Sequence, residues 1–192
     1  MVYLKRFIFF LFFSLPFFLD AQIQLVKNPN SKSFQLSGPA ISTEIVVDRS
    51  DHKSVATAAK LFAGDITRVT NQTVPIVDID EISSSNIVLV GTIENNQLIR
   101  ELIRRKRISV QEIEDGWEQY LIQVIDNPFP KVHKALVVVG SDRRGAAYGI
   151  ISVSEAIGVF PWYWWADVPV LKRKDLTINV DRTVSKTPSV RY

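Results

Sequence analysis

The chain has 192 residues, of which 46% are hydrophobic and 22% are charged, and its formal net charge is +3. The composition is that of a folded domain rather than a disordered chain, and the length is too small for a catalytic barrel of about 250 residues plus a second domain. A charge so close to balance argues against a nucleic-acid-binding surface. One globular domain that binds no nucleic acid is therefore expected.

The N-terminus has the pattern of a secretory signal peptide. Lys5 and Arg6 precede an apolar run at residues 7–19. This run is shorter than the roughly 20 residues that span a bilayer, so we predict cleavage of a signal peptide at 1–21, near Ala21, and no membrane attachment afterwards. Because the chain has no cysteine, a secreted or periplasmic bacterial domain stabilised without disulfides is expected.

The next part of the chain alternates strand and helix patterns. Strands are predicted at 34–36 and 44–47. Apolar residues then recur every three or four positions, which predicts a helix that Asp51 caps and Asn71 ends. A continuous apolar run at 86–91 is typical of a strand covered on both faces.

A basic cluster, RRKR at 104–107, ends a short helix predicted within residues 95–107. Two interpretations are open. The cluster is either a binding patch for an acidic polysaccharide or a solvated helix end, where cations interact favourably with the helix dipole. The second arrangement is the commoner one.

The C-terminal third continues the alternation. Strands predicted at 118–126 and 134–140 precede a helix that Ser141 or Asp142 caps and Gly158 ends. Gly145 and Gly149 are spaced to let this helix lie close to the sheet. With a last strand at 176–180, the pattern predicts an α/β fold at 22–182, a single mixed β-sheet flanked by helices, followed by a linker at 183–192.

Groups suited to catalysis are few. The chain has no cysteine and only two histidines, His52 and His133, and these lack zinc-binding spacing, so no metal, cofactor or catalytic residue is predicted. The Ser141-Asp142 pair lacks the G-x-S-x-G pattern of a nucleophile elbow, which favours helix capping. The acidic residues around Gly116 are typical of an exposed loop.

The aromatic segment PWYWW at 161–165 is the most distinctive feature. Tyrosine and tryptophan rings stack on the apolar faces of sugars, and they also fill the joint between two domains. Both interpretations of Tyr163 and Trp164 stay open on this pattern alone.

Three segments resemble glycoside hydrolase family 115: GSDRRG at 140–145, YGI at 148–150, and SExIGVxPWYWWADVP at 154–169. The tail at 187–192 is similar to the point where that family enters its catalytic barrel. The resemblance spans residues 23–192, and it is strong from Val137 onward and only architectural before it.

The resemblance implies a xylan α-1,2-glucuronidase that removes glucuronic acid or its 4-O-methyl ether with inversion. It implies that the leading α/β domain is similar to domain 2 of β-hexosaminidases, and that the acid and base belong to a barrel that follows this chain. The chain is then an N-terminal accessory domain, whose partners are that C-terminal barrel and, through the full-length enzyme, xylan or glucuronoxylan oligosaccharides.

Under this resemblance three side chains are expected at the rim of the substrate site. Arg143 suits a bidentate contact with a uronate carboxylate, and Tyr163 and Trp164 suit the faces of sugar rings. All three also suit a seam between domains. The alternative function is a free-standing carbohydrate-binding or structural module without hydrolase activity.

Overall fold

The computed structural model describes residues 23–39, 41–163, 166 and 169–189. In this part of the chain the strands form two sheets, accompanied by three α-helices. In chain order the elements are β1 (Ile23–Leu25), β2 (Ser33–Ser37), β3 (Thr43–Val47), α1 (Lys53–Thr70), β4 (Ile76–Val77), a 3-10 helix (Ile79–Glu81), β5 (Asn86–Thr92), α2 (Gln97–Arg104), β6 (Tyr120–Phe129), β7 (Val132–Gly140), α3 (Arg143–Ala156), a second 3-10 helix (Pro161–Tyr163), β8 (Leu176–Val180) and β9 (Thr183–Val184).

The larger sheet is mixed and has the strand order β4-β3-β5-β7-β6-β9. The strands β4, β3, β5 and β7 are parallel to one another, whereas β6 is antiparallel to β7 and β9 is antiparallel to β6. The strands β5 and β7 are almost wholly buried, as expected of parallel strands covered on both faces. The predicted class, an α/β fold with a mixed sheet flanked by helices, is confirmed.

Two hydrophobic cores cover the two faces of this sheet, because successive residues of a strand point to opposite faces. Along β7, Leu136 and Val138 belong to the core that contains α1 and α3, whereas Val137 and Val139 belong to the core that contains α2. The predicted apolar stripe of α1 is confirmed by its buried residues Val55, Ala58, Ala59, Phe62, Ile66 and Val69.

The start of α1 differs from the predicted cap at Asp51. His52 is the N-cap residue, and its side chain makes no capping hydrogen bond. The Asp51 carboxylate instead accepts hydrogen bonds from the Thr92 backbone N–H (2.8 Å) and hydroxyl (2.9 Å). The capping prediction was wrong because a partner 41 residues along the chain takes this carboxylate. The other end of α1 is as predicted, with Asn71 in the left-handed conformation at φ 60°.

A second sheet has three antiparallel strands in the order β1-β8-β2. Its apolar residues, Phe34 and Ile178 among them, join the core of α1 and α3. The strand β8 has the predicted bounds, but β1 was not predicted, and the expected single sheet did not include this separate one. Periodicity indicates which face of a strand is buried, not which strand it pairs with.

The folded structure extends beyond the boundary predicted at residue 182. Thr183 and Val184 form β9 on the edge of the larger sheet. Next to them, the Ser185 N–H donates to the Tyr120 carbonyl (2.9 Å), and the Ser185 hydroxyl accepts from the Tyr120 N–H (2.8 Å). Residues 183–185 of the predicted linker therefore belong to the sheet edge.

The predicted signal peptide at 1–21 lies outside the described residues and stays a prediction. Within the described part of the chain, no helix combines the length and apolar character that crossing a membrane requires.

Candidate functional site

The turn between β7 and α3 contains the GSDRRG segment. Asp142 is the N-cap residue of α3, and its Oδ1 accepts hydrogen bonds from the backbone N–H groups of Arg144 and Gly145, both at 2.8 Å. Its Oδ2 accepts a hydrogen bond from the Glu118 N–H at 2.7 Å. The predicted capping is confirmed for Asp142, and the same carboxylate joins α3 to the loop before β6.

The neighbours of Asp142 differ in what they contact. Ser141 Oγ accepts a hydrogen bond from the Gln119 N–H at 3.1 Å, and Arg144 forms an ion pair with Glu118 at 2.5 Å. Arg143 is exposed, and its side chain forms no hydrogen bond or ion pair with another described residue. Of the charged groups in this turn, the Arg143 guanidinium is the one available to an external anion.

The aromatic segment lies beyond the other end of α3. Phe160 and Trp162 are 46% and 63% exposed, large fractions for such apolar side chains. Tyr163 is half-buried, and the Arg68 guanidinium of α1 lies over its ring, 5.5 Å from the centroid. Trp164 lies outside the described residues. Phe160 and Trp162 are thus exposed to solvent, whereas Tyr163 is held against α1 by Arg68.

Arg143 and Tyr163 are at opposite ends of α3. Arg143 is the first residue of this 14-residue helix, whose length is about 20 Å at 1.5 Å per residue. Tyr163 follows the C-terminus of α3 and contacts Arg68, near the C-terminus of α1. The structure therefore does not bring these two predicted substrate-binding residues together, and their roles stay predictions.

Asp65 holds Arg68 in position. The Arg68 guanidinium donates to the Asp65 carboxylate at 2.9 Å, and Asp65 also bonds to Ser154 of α3. Burial raises the pKa of Asp65 above its usual value, although the bonds from Ser154 and Arg68 favour the charged form. The chain of contacts from Ser154 through Asp65 and Arg68 to Tyr163 links α3, α1 and the aromatic segment.

We expect Arg68→Ala to lower the free energy of unfolding by about 1–3 kcal/mol, because it removes a cation–π contact and the ion-pair partner of a partly buried carboxylate. Chemical denaturation measures the stability, and hydrogen exchange at residues 160–163 should become faster. The matched control is Arg105→Ala, which breaks the ion pair with Glu101 on α2 and should cost about 0.5 kcal/mol or less. Equal effects of the two substitutions would contradict the anchoring role.

The carboxyl ends of β3 and β5 form a second polar region, at the edge where open α/β sheets bind ligands. Asp48 accepts hydrogen bonds from the backbone N–H groups of Gln97 (2.9 Å) and Ser50 (2.8 Å). Asp51 accepts hydrogen bonds from the backbone N–H and the hydroxyl of Thr92. Burial acts to raise the pKa of Asp48, but the bonds from Gln97 and Ser50 outweigh it and lower that pKa. These carboxylates fix the turns that follow the strands.

The sequence patterns did not predict this region. The signal that could have revealed it was the acidic residues after β3 together with Thr92 at the end of β5 and the asparagines Asn95 and Asn96 that follow. The acidic residues near Gly116 do not converge either: Glu112 pairs with Arg182 at 2.5 Å, and Glu118 pairs with Arg144. Among the described residues, no group of three or more His, Cys, Asp or Glu side chains could hold a metal ion.

Comparison with solved structures places this fold among glycoside hydrolases. A family GH115 4-O-methyl-α-glucuronidase, with specificity for decorated arabinogalactans, superposes with a TM-score of 0.62 and 28% identity over 80% of this chain. A mutant β-hexosaminidase of Streptomyces plicatus, in complex with GlcNAc, matches 88% of this chain and 25% of its own, with a TM-score of 0.46 and 10% identity. No family model and no curated protein matches the sequence.

The chain therefore has a glycoside-hydrolase-related fold. It spans 18% of the length of the GH115 glucuronidase.

Proposed function

We propose that this chain is the N-terminal accessory domain of a secreted family 115 glycoside hydrolase that removes glucuronic acid or its 4-O-methyl ether from a plant polysaccharide. The domain supports the catalytic barrel, and the acid and base of the reaction belong to that barrel. The observation that carries the proposal is the similarity to the GH115 glucuronidase over 80% of this chain.

The contacts of the polar groups support an accessory role. Inverting glycoside hydrolysis needs two carboxyl groups about 6.5–9.5 Å apart, with room for a sugar and a water between them. Asp48 and Asp51, which follow β3, and Asp142, which follows β7, all accept backbone hydrogen bonds. Their described contacts fix the turns that follow the strands, which is a structural role.

The exposed rings support contact with something outside the described residues. Trp162 and Phe160 lie beside the anchored Tyr163, and together they suit either a sugar face or the surface of the barrel. Arg143, at the other end of α3, suits a carboxylate on either partner. In this proposal Arg143, Tyr163 and Trp164 line the seam between accessory domain and barrel, where it approaches the substrate.

The polysaccharide itself is part of the proposal. The resemblance in the sequence implies xylan, whereas the GH115 neighbour is specific for decorated arabinogalactans. The glucuronic acid side group is common to the two, so the proposal commits to that group and takes xylan as its first backbone.

Two steps test the function. The genomic DNA after the codon for Tyr192 should encode the barrel, in frame or after a frameshift; unrelated sequence after a true stop would contradict the proposal and favour a free-standing module.

The protein with its barrel should release uronic acid from glucuronoxylan, whereas this chain alone should release none. Release from decorated arabinogalactan but not from glucuronoxylan would replace xylan as the backbone.

A further inference from the structure

The basic cluster at 104–107 lies at the C-terminus of α2. Lys106 has a left-handed backbone conformation with φ 55°, and the N–H groups of Lys106 and Arg107 bond to the carbonyls of Ile103 and Leu102, both at 2.9 Å. The helix dipole favours cations here, so the predicted solvated helix end is present. The helix end accounts for the presence of these cations, but not for the groove beside them.

This groove lies between α2, the 3-10 helix Ile79–Glu81 and the turn that joins β6 to β7. It consists of two cavities of 350 and 670 Å³ that share the lining residues Ile79, Leu98 and Glu101. Volumes of this size are typical of small-molecule sites. Four partly buried side chains that rest on the α2 core form its apolar floor: Ile79, Ile82, Leu98 and Phe129.

The charge of the groove is positive. Arg100, Arg104, Arg105 and Lys131 line it, against Asp80 and Glu101. Arg105 pairs with Glu101, and Arg100 donates to the Glu94 carbonyl. Arg104 and Lys131 are exposed, and their side chains form no hydrogen bond or ion pair with another described residue. Two cations beside an apolar floor are thus available to a ligand.

The wall opposite α2 is held in place from beneath. The buried Glu44 carboxylate accepts hydrogen bonds from the backbone N–H groups of Ser83 (3.0 Å) and Ser84 (3.1 Å), two residues that line the larger cavity. Burial acts to raise the pKa of Glu44, but the bonds from Ser83 and Ser84 outweigh it and lower that pKa, so this contact is charged at neutral pH. A fixed wall reduces the entropy lost on binding.

We propose that this groove binds an oligosaccharide that carries uronic acid carboxylates. A sugar ring presents an apolar face that suits Phe129 and the aliphatic floor, while its carboxylate suits Arg104 and Lys131. The anionic character of the ligand follows from the groove alone; the choice of a saccharide rests on the proposed function. None of the residues that line the groove belongs to the GSDRRG turn or the aromatic segment, so this site is separate from both.

The test measures binding by the full chain, using isothermal titration calorimetry at about 0.15 M salt. The probes are galacturonic acid oligomers, glucuronic-acid-decorated xylo-oligosaccharides, undecorated xylo-oligosaccharides and a single-stranded DNA oligomer. The groove variant is Arg104→Gln with Lys131→Asn, because asparagine tolerates the left-handed φ of 67° at position 131. The matched control is Lys53→Gln with Lys60→Gln, which removes two exposed charges from α1, on the other side of the sheet.

We expect the uronic acid oligomers to bind and the undecorated ones not to. The groove variant should weaken binding at least tenfold, and the control variant less than twofold. Equal loss in the two variants, or no binding of either acidic saccharide, would overturn the site. Equally tight binding of DNA would overturn the choice of a saccharide. Because binding is measured on this chain, a failure here is distinct from failure of the barrel to release uronic acid.

Discussion

Replacing Gly145 with alanine is expected to lower the free energy of unfolding by about 3 kcal/mol, because a backbone carbonyl occupies the space of the added methyl group. A Cβ atom at this position would lie 2.1 Å from the Gln119 carbonyl oxygen. The obstacle is backbone and not the flexible end of a side chain, so either α3 or the start of β6 must move. Thermal and urea unfolding of the variant measure the cost.

The control is the same substitution in another helix, Gly64→Ala in α1. A Cβ atom there would lie 3.2 Å from the Arg68 Nη1, so this nitrogen needs to move by only a few tenths of an ångström, a shift that leaves its 2.9 Å bond to Asp65 within hydrogen-bond range. Alanine also favours the helix over glycine by about 0.5–1 kcal/mol, so this variant should be neutral or slightly more stable. If Gly145→Ala proved no more harmful than Gly64→Ala, α3 would not lie as close to β6 as described.

Features fixed by neighbours in the sequence were predicted well. The stripe on α1, the cap at Asp142 and the bounds of β8 each depend on a few residues within one or two turns or on strand alternation. The spacing of Gly145 and Gly149 likewise indicated close packing of α3, and a Cβ on Gly149 would lie 2.6 Å from Val138. The spacing of residues along the chain was sufficient here because each of these features is determined mainly by residues that are close in sequence.

Features that depend on distant pairing were not predictable in this way. The smaller sheet joins β1 and β2 to β8 from the other end of the chain. The Asp51 carboxylate, similarly, accepts hydrogen bonds from the distant Thr92 and does not cap α1. The site shows the same limit: Arg143 and Tyr163 are close in sequence, but α3 separates them. Arg104 and Lys131 line the same proposed groove, but they belong to different segments, and no spacing pattern in the sequence predicts that they lie near each other.

Replacing Asp142 with alanine is expected to lower the free energy of unfolding by about 2–4 kcal/mol. The carboxylate accepts three backbone hydrogen bonds, from Arg144, Gly145 and Glu118. Loss of an N-cap costs about 1 kcal/mol, and a polar group left without its partner in a partly buried site costs about 1–3 kcal/mol more. Urea denaturation gives the stability, and hydrogen exchange of the Glu118 amide reports on the loop.

One further variant separates the cap from the loop contact, and a second serves as the control. Asp142→Asn keeps an acceptor for the cap and should recover about half of the loss. Asp126→Ala removes an exposed carboxylate whose ion pair with Lys134 spans 3.3 Å, and it should change the free energy of unfolding by about 0.5 kcal/mol or less.

Glu118 is in the left-handed conformation at φ 54°, which is unfavourable for glutamate, so the bond from its N–H to Asp142 holds a strained turn. Faster exchange at Glu118 in Asp142→Ala, with unchanged exchange in Asp126→Ala, would assign the carboxylate of the GSDRRG segment to holding the β6 loop against α3. Unchanged exchange in both would leave Asp142 as a helix cap alone.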